Sequence, residues 1–295
     1  MTPALFSISY AGLWGQQALD LPAFIRHAAK LGYSSVMLAG KRPHLSMLDF
    51  REREIEQLCD VLRETAVQAP VIGAYVDAAG GAAAEVPYLE LQIAYVERLA
   101  RLGALLGTKI IRVFTAYESQ ANPTTLWNST VGMLREMCDR LEPFGMTLAV
   151  QNHHDLAVAT DALLELLADV GRSNCKLGFD AWSPALRGEH VYDAARAAAP
   201  HTVITTNADY VRFERFAYRP ALVNYQPQQP AMVRAVPFGT GFIDYAAFFA
   251  GLKDGGFDGI ATYEMCSPLR GGGALENLDR YARAYLAWMR ERGYA

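Results

Sequence analysis

Short apolar runs alternate with amphipathic stretches along the whole chain. The runs at residues 4–9, 34–38, 71–76, 109–114, 146–151, 176–179, 202–206 and 259–263 are short and largely apolar, the pattern of buried strands. Between and after them, apolar residues recur at helical spacing over 21–31, 51–66, 89–106, 123–141, 160–170, 191–198, 245–252 and 275–290. Gly32 and Gly107 stand where helices should stop, and Thr160 is placed to cap the helix that follows it. Repeated strand–helix pairs imply parallel strands joined by right-handed crossovers, and eight pairs imply closure. The expected fold is therefore an α/β (β/α)8 TIM barrel, a single domain over residues 1–295. A doubly wound sheet is the alternative, but no G-x-G-x-x-G opens a helix after the first strand. Residues 209–242, with Y-R-P, Q-P-Q-Q-P and V-P-F-G-T-G, show little periodicity and are expected to form a long irregular loop. Connections of that length are commonly lids or partner contacts.

Composition narrows the class. Of 295 residues, 52% are hydrophobic and 20% charged, enough for a large core and too few charges for disorder. The net charge of −4 argues against a nucleic-acid partner. No apolar run approaches the length of a bilayer span, and the N-terminal M-T-P-A-L-F lacks a basic export signal. The four cysteines, Cys59, Cys138, Cys175 and Cys266, are scattered without a C-x-x-C pair. Free thiols and a cytoplasmic location are the expectation, with no membrane partner.

In such barrels the chemistry sits at the C-terminal ends of the strands. One end stands out: M-T-L-A-V-Q-N-H-H-D, residues 146–155, turns from apolar to Gln151, Asn152, His153, His154 and Asp155 without a break. His153 and His154 are adjacent, so only one can face inward if the backbone stays extended. The other ends offer Ser9 and Tyr10; Lys41, Arg42 and His44; Tyr75 and Asp77; Thr115, Tyr117 and Glu118; Asp180, Trp182 and Ser183; Thr205, Thr206, Asn207 and Asp209; then Glu264, with Arg270 in a Gly-rich turn. Carboxylates, imidazoles and amides in this density suit a hard divalent cation and a polyhydroxylated ligand. Duller readings stand beside each: a polar loop for Gln151, ion pairs for Asp180 and Glu264, core packing for Trp182, solvated surface for Arg270, Lys41, Arg42 and His44. The sharper readings are a sugar face stacked on Trp182 and an anion held by Arg270 or by Lys41, Arg42 and His44. Asn152, Ser183, Asn207 and Tyr10 complete the candidate substrate contacts.

Several segments resemble one family. Y-V-E-R-L-A-R-L-G-A-L-L-G-T-K-I-I-R-V-F-T, L-A-V-Q-N-H-H-D, L-G-F-D-A-W-S, V-P-F-G-T-G-F-I-D and G-G-F-D-G-I-A-T-Y-E follow the order and spacing of the sugar phosphate isomerase/epimerase superfamily, with its xylose-isomerase-like barrel. The resemblance implies one divalent metal, held by Glu, Asp, His and Glu from strands five to eight. Asp180 and Glu264 match. Gln151 stands where the family has Glu, Thr206 where it has His, and Ser183 where it has a supporting His. Asn207 or Asp209 replaces Thr206 if the register shifts slightly.

A Gln cannot act as a general base, so a mirrored two-glutamate epimerisation is disfavoured. Its amide oxygen can still ligate a metal. The expected metal set is Gln151, Asp180, Thr206 and Glu264, around manganese, magnesium or zinc. Glu264 is the expected base, with His153, His154 or Asp209 as its acid–base partner. The leading expectation is a metal-dependent isomerase or epimerase that takes a proton beside the carbonyl of a sugar or keto-sugar. A lyase or hydratase on a keto-sugar, like the metal-bearing subunit of C-glycoside-cleaving enzymes, is the runner-up. A non-catalytic carbohydrate-binding barrel is the rival from another class. A second copy or a partner subunit is expected to use the long segment.

Overall fold

The computed structural model describes residues 1–80, 86–117, 122–153 and 156–295. Among the described residues, eight parallel strands close a barrel. They are β1 (Thr2–Phe6), β2 (Ser35–Ala39), β3 (Gln68–Gly73), β4 (Ile110–Val113), β5 (Thr147–Gln151), β6 (Cys175–Gly178), β7 (Thr202–Asn207) and, after a separate hairpin, β10 (Ile260–Tyr263). Closure comes from β10, which pairs with β7 on one side and with β1 on the other, Leu5 opposite Tyr263. The expected TIM barrel is what the chain forms.

The outer layer comprises α1 (Leu21–Leu31), α2 (Glu52–Thr65), α3 (Tyr88–Leu105), α4 (Pro123–Leu141), α5 (Thr160–Val170), α6 (Trp182–Arg187), α7 (Val191–Ala198), α8 (Tyr245–Asp254) and α9 (Leu275–Glu291). Local chemistry sets the ends of α1. The Asp20 carboxylate accepts the Ala23 N–H at 2.8 Å, and Gly32 turns the chain out at φ 93°. The α5 start differs from expectation. Ala159 is the cap residue, and Thr160 lies inside the helix, its hydroxyl donating to Glu189 at 2.6 Å.

Alternation along the strands decides what faces the interior. Phe6, Met37, Val71, Ile110, Ala149 and Ile204 cluster inside the barrel. Their neighbours Leu5, Val36, Ile72, Ile111, Leu148 and Leu177 belong to the layer between strands and helices. Counting on by twos, Arg112, Gln151, Asp180, Thr206 and Glu264 all fall on the inner face near the strand ends. Asn152 and Asn207 fall on the outer face.

The segment expected to be irregular is largely a hairpin. β8 (Asp209–Arg219) and β9 (Asn224–Val236) pair antiparallel, with Tyr218 opposite Tyr225. Its outer part exposes Phe216, Tyr218, Leu222 and Tyr225. With both faces in solvent, no alternation marked it. Pro227 and Pro230 argue against a central strand, but a two-stranded ribbon is all edge, where proline is tolerated. Its root is buried: Tyr210, Ala235 and Val236 pack into the core.

Gly73 is one of several glycines fixed by packing. A Cβ on Gly73 would lie 2.7 Å from Met37 Cε and 2.8 Å from Arg112 Nη2. Gly132, in the exposed middle of α4, has nothing within 4 Å. Gly73→Ala is therefore expected to destabilise the protein by about 1–3 kcal/mol through overpacking. Gly132→Ala should stabilise it by roughly 1 kcal/mol through helix propensity. Urea midpoints of the two variants, moving in opposite directions, check this.

Candidate active site

Two cavities open at the C-terminal end of the barrel. One, of ≈ 290 Å³, is lined by Asp180, Trp182, Thr206, Tyr210, Glu264 and Cys266, among others. The other, of ≈ 240 Å³, is lined by Lys41, Tyr75, Arg112, Phe114, Gln151 and Glu264, among others. His153, Glu264 and Cys266 border both, so they are adjoining lobes of one site.

Asp180 is held from several sides. Its Oδ2 accepts the Gln151 amide N–H at 2.7 Å, and its Oδ1 accepts the Trp182 N–H at 3.1 Å. Asn152, on the outer face of the strand end, clamps its backbone: Oδ1 accepts the Asp180 N–H at 2.7 Å, and Nδ2 donates to the Asp180 carbonyl at 2.9 Å. Ser183 donates its hydroxyl to the Asn152 carbonyl. Asn152 and Ser183 thus position Asp180 and line neither lobe. Burial pushes the Asp180 carboxyl up to about 7; the Gln151 amide opposes this, and the charge of Glu264 adds to it.

Glu264 continues β10, its N–H donating to the Asn207 carbonyl at 2.9 Å. Its Oε1 accepts from the Cys266 thiol at 3.3 Å, and Cys266 Sγ lies 3.1 Å from the Tyr210 hydroxyl. Burial raises the Glu264 carboxyl, while the positive field of Arg112 and the Cys266 hydrogen bond lower it. Burial likewise raises the Cys266 thiol, so it is a donor here and not a thiolate. Sequence reasoning missed Arg112, Tyr210 and Cys266. The Arg112 signal was available: a charged residue inside the apolar strand I-I-R-V.

Two buried oxygens aimed into this region, Gln151 Oε1 and Thr206 Oγ1, have no hydrogen-bond partner among the described residues. Together with the Asp180 and Glu264 carboxylates they form an all-oxygen donor set, which fits a hard divalent cation. No group of three or more His, Cys, Asp or Glu able to hold a metal occurs among the described residues. Oxygen donors suit magnesium or manganese better than zinc, which draws on His and Cys.

This geometry can be set beside known proteins. Residues 25–292 match the family model described as xylose isomerase-like TIM barrel. The chain belongs to that family. Solved structures show the same fold at low identity. A D-psicose 3-epimerase with D-tagatose from Clostridium cellulolyticum H10 is 15% identical with a TM-score of 0.76, covering 99% of both chains. A D-psicose 3-epimerase in the presence of D-fructose is 16% identical with a TM-score of 0.75, covering 98% of both. The probable 3-DHS dehydratase AsbF of petrobactin synthesis from Bacillus anthracis is 18% identical with a TM-score of 0.74, covering 98% of this chain and 99% of that one. No curated protein matches the chain significantly in sequence.

The structure brings Gln151, His153, Asp180, Trp182, Thr206 and Glu264 to the two lobes. His154, Asp155 and Glu118 lie outside the described residues. Other candidates sit elsewhere. Asp209 is buried at the hairpin root, its carboxylate accepting N–H groups of Tyr210 and Gly241 at 2.9 and 2.7 Å. Asn207 is packed in the helix-facing layer, donating to the Thr262 carbonyl at 2.9 Å. It does not take the place of Thr206, because a neighbouring residue on a strand points the opposite way. The Tyr10 hydroxyl donates to Asp279 at 3.2 Å, behind the barrel wall. Arg270 is exposed on its turn and lines neither lobe. Arg42 pairs with Asp49 at 2.6 Å on the surface.

His44 is core, not site. It is 1% exposed, stacks on Phe24, and its Nε2 donates to the Leu19 carbonyl at 3.1 Å. Nδ1 is buried without a partner. Burial lowers its pKa, opposed by the Leu19 carbonyl and Asp20. A depressed folded pKa means stability present above about pH 6.5 and lost as pH falls through the lower folded value. Urea midpoints at pH 7.5 and 5.5 are expected to drop less in His44→Phe than in the wild type.

Proposed function

We propose that this chain is an enzyme that removes a proton beside the carbonyl of a sugar or sugar-derived keto compound, with Glu264 as base. The observation that carries the proposal is the pair of carboxylates, Asp180 and Glu264, facing one cleft at the strand ends of a xylose isomerase-like barrel. Glu264 is shielded enough for its proton affinity to rise, which suits a base working near neutrality. Cys266, backed by Tyr210, fixes one oxygen of that carboxylate and leaves Oε2 for the substrate proton. His153 borders both lobes, which supports it as the group that exchanges a proton with a substrate oxygen. The Trp182 ring, 3.7 Å from Tyr210 and nearly perpendicular to it, forms an apolar wall for a sugar face.

Asp180, Glu264, Gln151 and Thr206 would hold a magnesium or manganese ion. When bound, such an ion supplies Lewis acidity that favours negative charge on the substrate's carbonyl oxygen.

One base on one face supports isomerisation, in which a proton moves between adjacent carbons on the same side. Two-faced epimerisation by mirrored carboxylates is disfavoured, because Gln151 cannot take a proton. The same observation favours a second reading, elimination by a lyase or dehydratase, which needs only one base and one acid. AsbF, similar in fold, is named as a probable dehydratase, and the other two neighbours as epimerases.

The test is hydrogen exchange. With manganese present, a panel of ketoses, aldoses and keto acids in D2O is expected to gain deuterium beside the carbonyl, followed by NMR. Glu264→Gln should lower the rate by about 10²-fold or more, the usual scale of a lost general base. Bound manganese, measured by elemental analysis, should be lost in Asp180→Ala. Exchange that survives intact in Glu264→Gln sinks the assignment of the base.

A further inference from the structure

The lobe between β2, β3 and β4 carries a feature that proton abstraction from a neutral sugar does not need. Arg112 is 1% exposed. Its Nη1 donates to the Ala74 carbonyl at 3.2 Å, and its Nε has no partner among the described residues. The guanidinium lies 4.2 Å above the Phe114 ring. Beside it, Lys41 Nζ sits 3.8 Å over the Tyr75 ring. Among the described residues, no carboxylate lies within 4 Å of either cation. Burying a guanidinium with no carboxylate in contact is costly; Glu264 acts on it only through its field, and an anionic ligand would supply the missing contact. The cradle is built for it: the absent side chain of Gly73 leaves the room that Nη2 occupies.

Charge counting points the same way whether or not a metal is present. Lys41 and Arg112 carry two positive charges, and Glu264 offsets one of them. Asp180 borders the other lobe and not this one. A divalent ion on the two carboxylates would cancel them and leave both cations uncompensated. In each case the lobe lacks a negative charge.

We infer that the Lys41–Arg112 lobe binds the carboxylate of an acidic sugar or keto acid, placing the carbons beyond that carboxylate at Glu264. This rests on the proposed reaction only for which carbons react; the anion subsite stands on its own geometry. Carboxylate is favoured over phosphate. The guanidinium fork matches a planar carboxylate, while phosphate sites commonly recruit the N–H groups at a helix start. None of the residues lining this lobe begins an α-helix. The ring faces of Tyr75 and Phe114 wall the lobe, leaving ≈ 240 Å³.

The experiment is calorimetric titration with hexuronates, their parent hexoses and the matching hexose 6-phosphates, on wild type, Lys41→Met and Arg112→Met. Lys41 is only partly buried, so Lys41→Met should fold even if Arg112→Met does not; circular dichroism checks both. At least one hexuronate is expected to bind about tenfold or more tighter than its hexose, the scale of a charge-assisted hydrogen bond. That preference should fall to nearly nothing in Lys41→Met. No hexuronate preference anywhere in the panel, or a preference unchanged in Lys41→Met, overturns the subsite. A 6-phosphate that binds tightest overturns the choice of carboxylate. Titration reads binding without turnover. Uronate preference with no proton exchange on any substrate would leave this subsite standing and remove the proposed reaction; exchange on neutral hexoses with no uronate preference would do the reverse.

Discussion

A closed parallel barrel allows each strand to show its interior only every second side chain, and the arrangement of this site follows from that constraint. On β4 the inner positions are Ile110 then Arg112; on β5, Ala149 then Gln151; on β7, Ile204 then Thr206. The deeper layer is apolar and closes the floor. The next layer up is polar, and because the strands run in the same direction, all those polar groups arrive at the same end. A slip of one residue on β5 would turn Gln151 to the helices and bring Asn152 inward. The pairing of Leu148 with Cys175 and Gln151 with Gly178 fixes the register against this.

The same constraint explains what could be read from the sequence. Strand and helix positions follow from periodicity, and helices α1 and α4 fall where the pattern puts them. Asp180, Glu264, Gln151 and Thr206 were legible as candidates from their strand-end positions and the family resemblance; their direction follows only from the register of the strands, which brings them to the two lobes. Asn207 and Asp209 look equally good in one dimension, and only pairing shows that one faces the helices and the other braces the hairpin root through the Gly241 N–H. Tyr10 and His44 share the polar look of strand-end residues, yet each spends its polar atom on the core, at Asp279 and at the Leu19 carbonyl. The hairpin was illegible for the opposite reason. With solvent on both faces, nothing selects an alternating pattern, and its prolines mimic a loop.

Several features outside the proposed reacting groups trade stability for position. Arg112 occupies volume that Gly73 gives up, and it rests on Phe114 where water would otherwise solvate it. Asn152 uses both ends of its amide on one residue, holding the backbone of Asp180 from outside the barrel wall. Tyr210 comes from the hairpin root and reaches Cys266, so the hairpin helps to set the orientation of Glu264 while its tip stays exposed. The hairpin is thereby part of the wall of the site and not an appendage.

Replacing a carboxylate by Gln151 changes the proton balance of the whole mouth. A glutamate 2.7 Å from Asp180 would be a like charge, forcing the pair to share a proton unless a cation lay between them. The amide instead donates to Asp180 and stabilises its ionised form, opposing the burial that pushes it toward neutrality. Asp180 then has a donor where a carboxylate would repel it, and the like charge that still acts on it is that of Glu264. The oxygen of Gln151 is left over, buried and unpaired, as is the Thr206 hydroxyl two strands along the barrel wall. Unpaired buried oxygens cost free energy in the empty protein. They are tolerable where a ligand's hydroxyls or a hard cation return what was lost. Gln151 and Thr206 therefore leave the mouth of the barrel polar and open, with fewer charges than carboxylates at the same positions would give it.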